Sequence, residues 1–246
     1  MKIEKYKYLG NGRYKVYIGD EEYIIYEDII LKYNILSKEE IAKIDLDKYL
    51  ENNSFYDAYY KSVKYINIKL RCKKEIESYL LKSNYENKIV NEVIDKLIKD
   101  GYLNEKFYIE SYINDQINLK NVGPLKIKKD LINLGFRDEL INKYLNVFDK
   151  DIEKEKIDKI INKEVKLNKN KSEFILKQKI FNLLREKGFS LELINEKINK
   201  IEFDDKDIYD KEYNKLYEKL SKKYSGKELE YKLKQKMYQK GFRDNI

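Results

Sequence analysis

The strongest constraint on this fold is a quartet of apolar residues, set around a helix-ending turn, that recurs four times at nearly constant spacing. The copies are Ile76, Leu80, Tyr85, Ile89; Ile127, Leu131, Phe136, Leu140; Ile180, Leu184, Phe189, Leu193; and Leu233, Met237, Phe242, Ile246. Asn84, Gly135, Gly188 and Gly241 stand just before the aromatic of each copy, at intervals of 51, 53 and 53 residues. A period of this size is one supersecondary unit copied along the chain, each copy too small to bury its apolar face without a neighbour. The expected fold is mainly α: elongated tandem three-helix repeats, preceded by a small N-terminal β-hairpin or sheet.

That sheet is read from strand-type alternation in the first 27 residues. Tyr14, Val16 and Ile18 share one face, and Tyr23 and Ile25 follow the turn residues Gly19 and Asp20. Gly10, Asn11 and Gly12 form a reverse turn rather than a phosphate loop, since no Gly-Lys-Ser/Thr follows. From Glu27 onward the pattern is helical. Ser37 with Glu40 predicts a capping box opening a helix over 38–49, and Asn53 or Ser54 a cap for the next, with Phe55, Tyr59, Val63 and Ile66 on one face. Helices follow near 73–83, 86–99 and 105–119. Pro124 suits the first position of another, and the glycines end helices in the left-handed conformation. A second turn type, an apolar residue followed by a capping one, recurs at Leu103-Asn104, Phe148-Asp149 and Phe203-Asp204. The expected organisation is a β element plus helices over 1–54 and a connecting helix over 55–71. Helical repeats follow over 72–121, 122–171 and 172–225, with a half-repeat cap over 226–246.

Charge narrows the function. The first 59 residues carry nine Lys and Arg against twelve Asp and Glu, so residues 60–246 hold the whole positive excess of the chain. Residues 219–246 are the densest part, with nine basic side chains against three acidic ones. Such a face suits polyanions or an acidic protein surface, although a solvated lysine-rich surface explains it equally well. The chain has no His and one cysteine, Cys72. An internal disulfide is thereby excluded, along with the commonest metal ligand and general base. No membrane span and no secretory apolar core is evident, and a cytoplasmic protein is expected. Walker, nucleophile-elbow and paired-cysteine motifs are missing, so no enzyme, no cofactor, no metal and no small-molecule substrate are expected. Asp45 with Asp47, and Asp204 with Asp205, read as caps or first-turn acids rather than Mg²⁺ ligands. Tyr56, Tyr59, Tyr60 and Tyr65 interleave with Lys61 and Lys64 in a pattern able to stack bases, though packing is the simpler use of them. Cys72, between Arg71 and Lys73, is open to two readings: a reactive thiol of lowered pKa, or an unreactive cysteine at a helix cap.

Three local patterns occur in order: Arg71-Cys72-Lys73-Lys74-Glu75-Ile76, Gly101-Tyr102-Leu103-Asn104-Glu105-Lys106-Phe107, and Gly123-Pro124-Leu125-Lys126-Ile127-Lys128-Lys129-Asp130-Leu131. Each has a purely structural explanation in caps and core stripes. Their succession resembles the RecX family of recombinase regulators, in which an Arg-Ser-x-x-Glu-Leu helix start precedes Gly-Tyr-Leu-Asp-Asp-x-Arg-Phe and Gly-Pro-x-x-Ile-x-x-x-Leu. The resemblance covers roughly residues 60–246. Cys72 stands in place of the capping serine, and Asn104 and Glu105 in place of the two aspartates. It implies a partner, the RecA–single-stranded DNA filament, and a role in recombination and DNA repair as a modulator, mostly an inhibitor, of RecA ATPase, strand exchange and co-protease activity. The expected contacts are solvent-facing cations flanking the repeat turns: Arg71, Lys73 and Lys74; Lys126, Lys128, Lys129 and Arg137; Lys232, Lys236, Lys240 and Arg243. The alternatives are a helical array acting directly on single- or double-stranded DNA, and a generic helical scaffold.

Overall fold

The computed structural model describes residues 1–202 and 204–243. Phe203 of the third apolar–cap pair, Ile246 of the fourth quartet and Asp244 lie outside the described residues. The chain divides into two compact units, Met1–Tyr108 and Ile109–Ile246.

The first unit opens with a three-stranded antiparallel sheet of β1 (Ile3–Gly10), β2 (Arg13–Ile18) and β3 (Glu21–Tyr26), in that spatial order. Tyr14 pairs with Ile25 and Val16 with Tyr23. Val16, Ile18 and Ile25 are fully buried, as the alternation predicts, against Ile29 and Ile30 of α1 (Glu27–Lys32), Ile35 of a short 3₁₀ turn, and Leu46 and Tyr49. The turn at Gly10-Asn11-Gly12 has three successive positive φ angles, 86°, 54° and 66°, and its Gly12 carbonyl accepts the Glu27 N–H at 2.7 Å. Such angles suit Gly and Asn and few other residues.

Residues 37–54 depart from expectation. Ser37 does not open a helix; its hydroxyl donates to the Asn34 carbonyl, and Glu39–Ile41 run extended instead. There the Ile3 N–H donates to the Glu39 carbonyl at 2.9 Å and the Ile41 N–H to the Met1 carbonyl at 2.8 Å. A capping box saves a local bond or two, whereas this pairing satisfies backbone groups of both segments at once. Nor is there a break at Asn53 or Ser54: α2 runs unbroken from Lys43 to Ile68. The Asn53 amide is used laterally, accepting the Tyr26 N–H and donating to the Ile24 carbonyl, both at 2.8 Å. These are groups of β3, an edge strand whose outward backbone otherwise lacks partners. Buried Tyr49, Ala58 and Tyr59 on either side hold the helix through its weakest propensities.

The tail of α2 packs with α3 (Lys73–Lys82) and α4 (Asn87–Lys99), whose bounds match the periodicity closely. Their shared core contains Ala58, Tyr59, Ile76, Leu80, Val93, Ile94 and Leu97. The division between the units falls within α5 (Glu105–Leu119), which opens with the Asn104 side chain accepting the Phe107 N–H at 3.1 Å.

The second unit contains α6 (Pro124–Asn133), α7 (Asp138–Leu145), α8 (Lys150–Leu167), α9 (Glu173–Glu186), α10 (Leu191–Asn199), α11 (Lys206–Leu220) and α12 (Gly226–Gln239). A core like the first recurs two periods later: Ile157, Ile160 and Ile161 of α8 pack with Leu176, Ile180 and Leu184 of α9 and Leu193, Ile194 and Ile198 of α10. In both cases the three-helix bundle joins a long helix to the pair that follows it.

The first two residues of every quartet are core. Ile76, Leu80, Ile127, Leu131, Ile180 and Leu184 are completely buried, and Leu233 and Met237 nearly so. Asn84, Gly135, Gly188 and Gly241 all have positive φ, between 64° and 91°. In every copy the aromatic N–H reaches back to the carbonyl of the second quartet residue: Tyr85 to Leu80, Phe136 to Leu131, Phe189 to Leu184 and Phe242 to Met237, at 3.2–3.3 Å. This is the six-to-one bond of a Schellman helix end, with the aromatic as its hydrophobic contact.

Candidate functional site

The repeat turns also form joints. Cys72, Gly123 and Ser172 occupy the N-cap positions of α3, α6 and α9. Within the second unit, two of these caps receive the turn of the following repeat. The Gly123 N–H donates to the Lys187 carbonyl at 2.8 Å and the Leu125 N–H to the Gly188 carbonyl at 3.0 Å. At the next joint the Ser172 hydroxyl donates to the Lys240 carbonyl at 2.7 Å, with Gly241 seated over Ser172 and Ile175. Helix-terminal carbonyls and N–H groups thus satisfy one another across a joint. Gly123 and Gly188 are required here by proximity: a Cβ on either would enter the backbone of the other segment. The sequence shows these glycines only as helix punctuation, because nothing local distinguishes a close approach from an ordinary cap.

In the first unit, Cys72 completes a capping box. Its side chain accepts the Glu75 N–H, and the Glu75 carboxylate accepts the Cys72 N–H at 2.9 Å. Burial alone would raise the Glu75 pKa, but the Cys72 N–H, Arg71, the Cys72 thiol and the Tyr108 hydroxyl together hold it below the usual glutamate range. The reading of Cys72 as a reactive thiol is corrected: it is buried, and desolvation pushes its pKa up. A buried thiol of raised pKa is a poor nucleophile.

Further polar ties hold the second unit together. The buried Lys156 donates to the carbonyls of Ile117 and Lys120 at 2.5 and 2.8 Å, closing the end of α5, and desolvation lowers its pKa. Buried Glu153 accepts the Ser190 N–H at 2.6 Å, and Asp205 accepts the Glu173 N–H at 2.9 Å. Asp149 caps α8 as expected, taking the N–H groups of Asp151 and Ile152. Lys156 and Glu153 are not legible in the sequence, since both sit in a helix dense with charges, whereas Asp205 stands at the N-cap of α11, in the pair read from the sequence as caps or first-turn acids. Among the described residues no three His, Cys, Asp or Glu side chains gather to hold a metal ion, and no helix is long and apolar enough to cross a membrane.

The eleven candidate cations divide by environment. Arg71 is not solvent-facing: its side chain is 16% exposed, stacked 3.9 Å from the Tyr65 ring centre, and it pairs with Glu75 at 3.1 Å. A planar guanidinium suits this sandwich, and the pairing makes it a structural residue of the α3 cap. Lys73 and Lys74 are exposed at the first two positions of α3. On α6, Lys126 lies 3.9 Å from Asp130, and half-buried Lys128 is held by Asp138 at 2.8 Å and Asn142 at 2.9 Å. Lys129 and Arg137 are exposed. On α12, half-buried Lys232 lies between the rings of Tyr224 and Tyr231, Lys236 donates to Gln239, and Lys240 pairs with Glu212 at 2.6 Å. Arg243 is stacked 3.5 Å from the Phe174 ring centre and 4.9 Å from that of Tyr238.

Comparison with known proteins gives the same answer by sequence and by shape. A family model described as RecX, first three-helix domain, matches residues 58–97, the stretch from the tail of α2 through α4. The protein called regulatory protein RecX in Bacillus cereus (strain B4264) is 34% identical over 211 residues, covering 84% of this chain and 77% of its own. Its namesake in Bacillus cytotoxicus is 31% identical over 187 residues, covering 74% and 69%. A crystal structure of regulatory protein RecX shares the fold with a TM-score of 0.66 at 22% identity, over 82% of this chain and all of its own. That of RecX from Lactobacillus salivarius has a TM-score of 0.54 at 27% identity, over 61% and 99%. With relatives more than 30% identical matched along most of both chains, this chain belongs to the RecX family of regulatory proteins.

Proposed function

We propose that the protein binds the RecA–single-stranded DNA filament and restrains its ATPase, strand exchange and co-protease activity. The observation that carries this reading is the placement of exposed cations where helix physics disfavours them. Lys73 and Lys74 open α3, and α6 has no acidic residue in its first turn while Lys126 stands there. A cation at a helix N-terminus costs about 0.3–1 kcal/mol against the macrodipole. Such residues serve something other than helix stability, and an acidic filament surface is a partner they fit. Repeated binding units engage neighbouring subunits at once, so that avidity accumulates and the geometry required for turnover is obstructed.

Lys129 and Arg137 are the best probes, being exposed and making no ion pair among the described residues. The test is co-sedimentation with RecA filaments assembled on single-stranded DNA. The protein is expected to pellet with them, and Lys129→Glu with Arg137→Glu to weaken this while leaving the helical circular dichroism unchanged. Failure of the wild-type protein to co-sediment would refute the reading.

A second reading, direct contact with nucleic acid, is favoured by α12. Opposite its buried ridge of Leu229, Leu233 and Met237, it presents Lys227, Tyr231, Lys234 and Tyr238, the tyrosines 64% and 52% exposed. Lysines alternating with exposed rings suit a single strand. Binding to DNA without RecA, lost steeply as salt rises, would support it.

A further inference from the structure

The net-acidic N-terminal region contains a local cationic cleft, of which the sequence discloses only the Tyr60, Lys61 and Lys64 pattern on α2. It lies between the Gly10–Gly12 turn and one face of α2, within the first unit, and has a volume of 520 Å³. Volumes of 300–1,000 Å³ are typical of small-molecule sites. The tight turn carries Asn11 and Arg13 over the helix, where Tyr60, Lys64 and Asn67 recur at helical spacing on one face. Val63 and the rings of Tyr26 and Tyr60, stacked with centres 5.1 Å apart, supply an apolar wall.

The hydrogen bonding within the cleft leaves a particular set of groups available. Asp57 accepts from the Tyr26 hydroxyl at 2.9 Å, from the Tyr85 hydroxyl, and from Lys61 at 3.0 Å, while Asp28 accepts from Tyr60 at 2.8 Å. The Asp57 and Asp28 carboxylates are therefore committed to tyrosines and to Lys61, while that of Glu27 lies beside the turn at Gly12. Arg13 and Lys64, by contrast, make no ion pair among the described residues. Tyr60 remains 39% exposed beside them. An aromatic wall with two uncommitted cations at its rim is complementary to a flat heterocycle carrying a phosphate.

We infer that this cleft binds a nucleotide unit, its base against Tyr60 and Val63 and its phosphate between Arg13 and Lys64. The ligand is either a free nucleotide or one nucleotide of a single strand, since both present the same base and phosphate. The inference rests on these residues alone and is independent of the filament reading.

The test titrates the full chain, without RecA, with deoxyadenosine monophosphate and separately with a short oligodeoxythymidylate. The double variant Arg13→Ala with Lys64→Ala is expected to weaken binding at least about tenfold, with an unchanged melting temperature. Tyr60→Phe, which keeps the ring, is expected to bind within about twofold of wild type, and Tyr60→Ala more weakly. A response to the mononucleotide identifies a free nucleotide as the ligand; a response to the oligonucleotide alone identifies a strand. If neither probe binds at millimolar concentration, or neither is weakened by the double variant, the inference is overturned.

Discussion

Gly188 closes against Gly123, so that the turn ending α9 and the turn opening α6 share hydrogen bonds in place of side chains. The Gly123 N–H meets the Lys187 carbonyl and the Leu125 N–H meets the Gly188 carbonyl, at 2.8 and 3.0 Å. The second unit is therefore sensitive to added volume at a place that looks, in the sequence, like any helix end.

Gly135 and Gly188 separate conformation from packing. Both have positive φ, 91° and 79°, but a Cβ at Gly135 meets nothing within 4 Å, whereas one at Gly188 collides with Lys126. Gly135→Ala should cost about 1–2 kcal/mol, the left-handed penalty alone. Gly188→Ala should cost at least about 1 kcal/mol more, as overpacking does. Chemical denaturation of the two variants measures the difference, and equal losses would show that the joint gives way freely.

Cys72 should behave as an inert cap. In native protein a thiol reagent should react at least about a hundredfold more slowly than in denaturant, consistent with a buried thiol of raised pKa. Cys72→Ser should retain the capping box and most of the stability. Rapid stoichiometric labelling of the folded chain would contradict this.

Glu75 gives a pH signature. Its folded pKa lies below the ordinary value of 4.5, so its contribution is present above that value and is lost as pH falls through the folded pKa. Glu75→Gln should lower stability at neutral pH, and its deficit relative to wild type should shrink as the pH drops below about 4.5. Parallel acid titrations followed by circular dichroism test this, and a deficit that stays constant would remove Glu75 as the cause.

Lys156 ties α8 to the end of α5 through two carbonyls. Lys156→Ala should destabilise the chain by about 1–3 kcal/mol, because buried acceptors lose their donor. Faster hydrogen exchange at the end of α5 would accompany it; unchanged exchange would show that the tie is dispensable.

The sequence disclosed whatever was periodic. Quartet residues such as Ile127 and Leu184, the left-handed turns at Gly135 and Gly188, and the bounds of α3, α4 and α5 all follow from spacing that one helix and its cap can encode. Less was legible wherever a residue's partner is distant in the chain. Asn53 has the look of a helix cap and instead serves the edge of β3, while Ser37 and Glu40 have the spacing of a capping box but Glu40 lies within the segment paired with the N-terminus. Arg71 looked like a surface charge because neither its stacking on Tyr65 nor its burial has a local signature. Only the α2 half of the cationic cleft is legible in the sequence, as the Tyr60, Lys61 and Lys64 pattern: Arg13 and Lys64 are 51 positions apart in the chain and meet only through the sheet turn.

The central claim, control of a recombinase filament, is tested most directly by the single-stranded DNA-dependent ATPase of RecA with this protein added below stoichiometry. The account predicts inhibition at a small fraction of the RecA concentration, weakened by Lys129→Glu with Arg137→Glu in a protein that still folds. Undiminished ATPase at micromolar protein would contradict it.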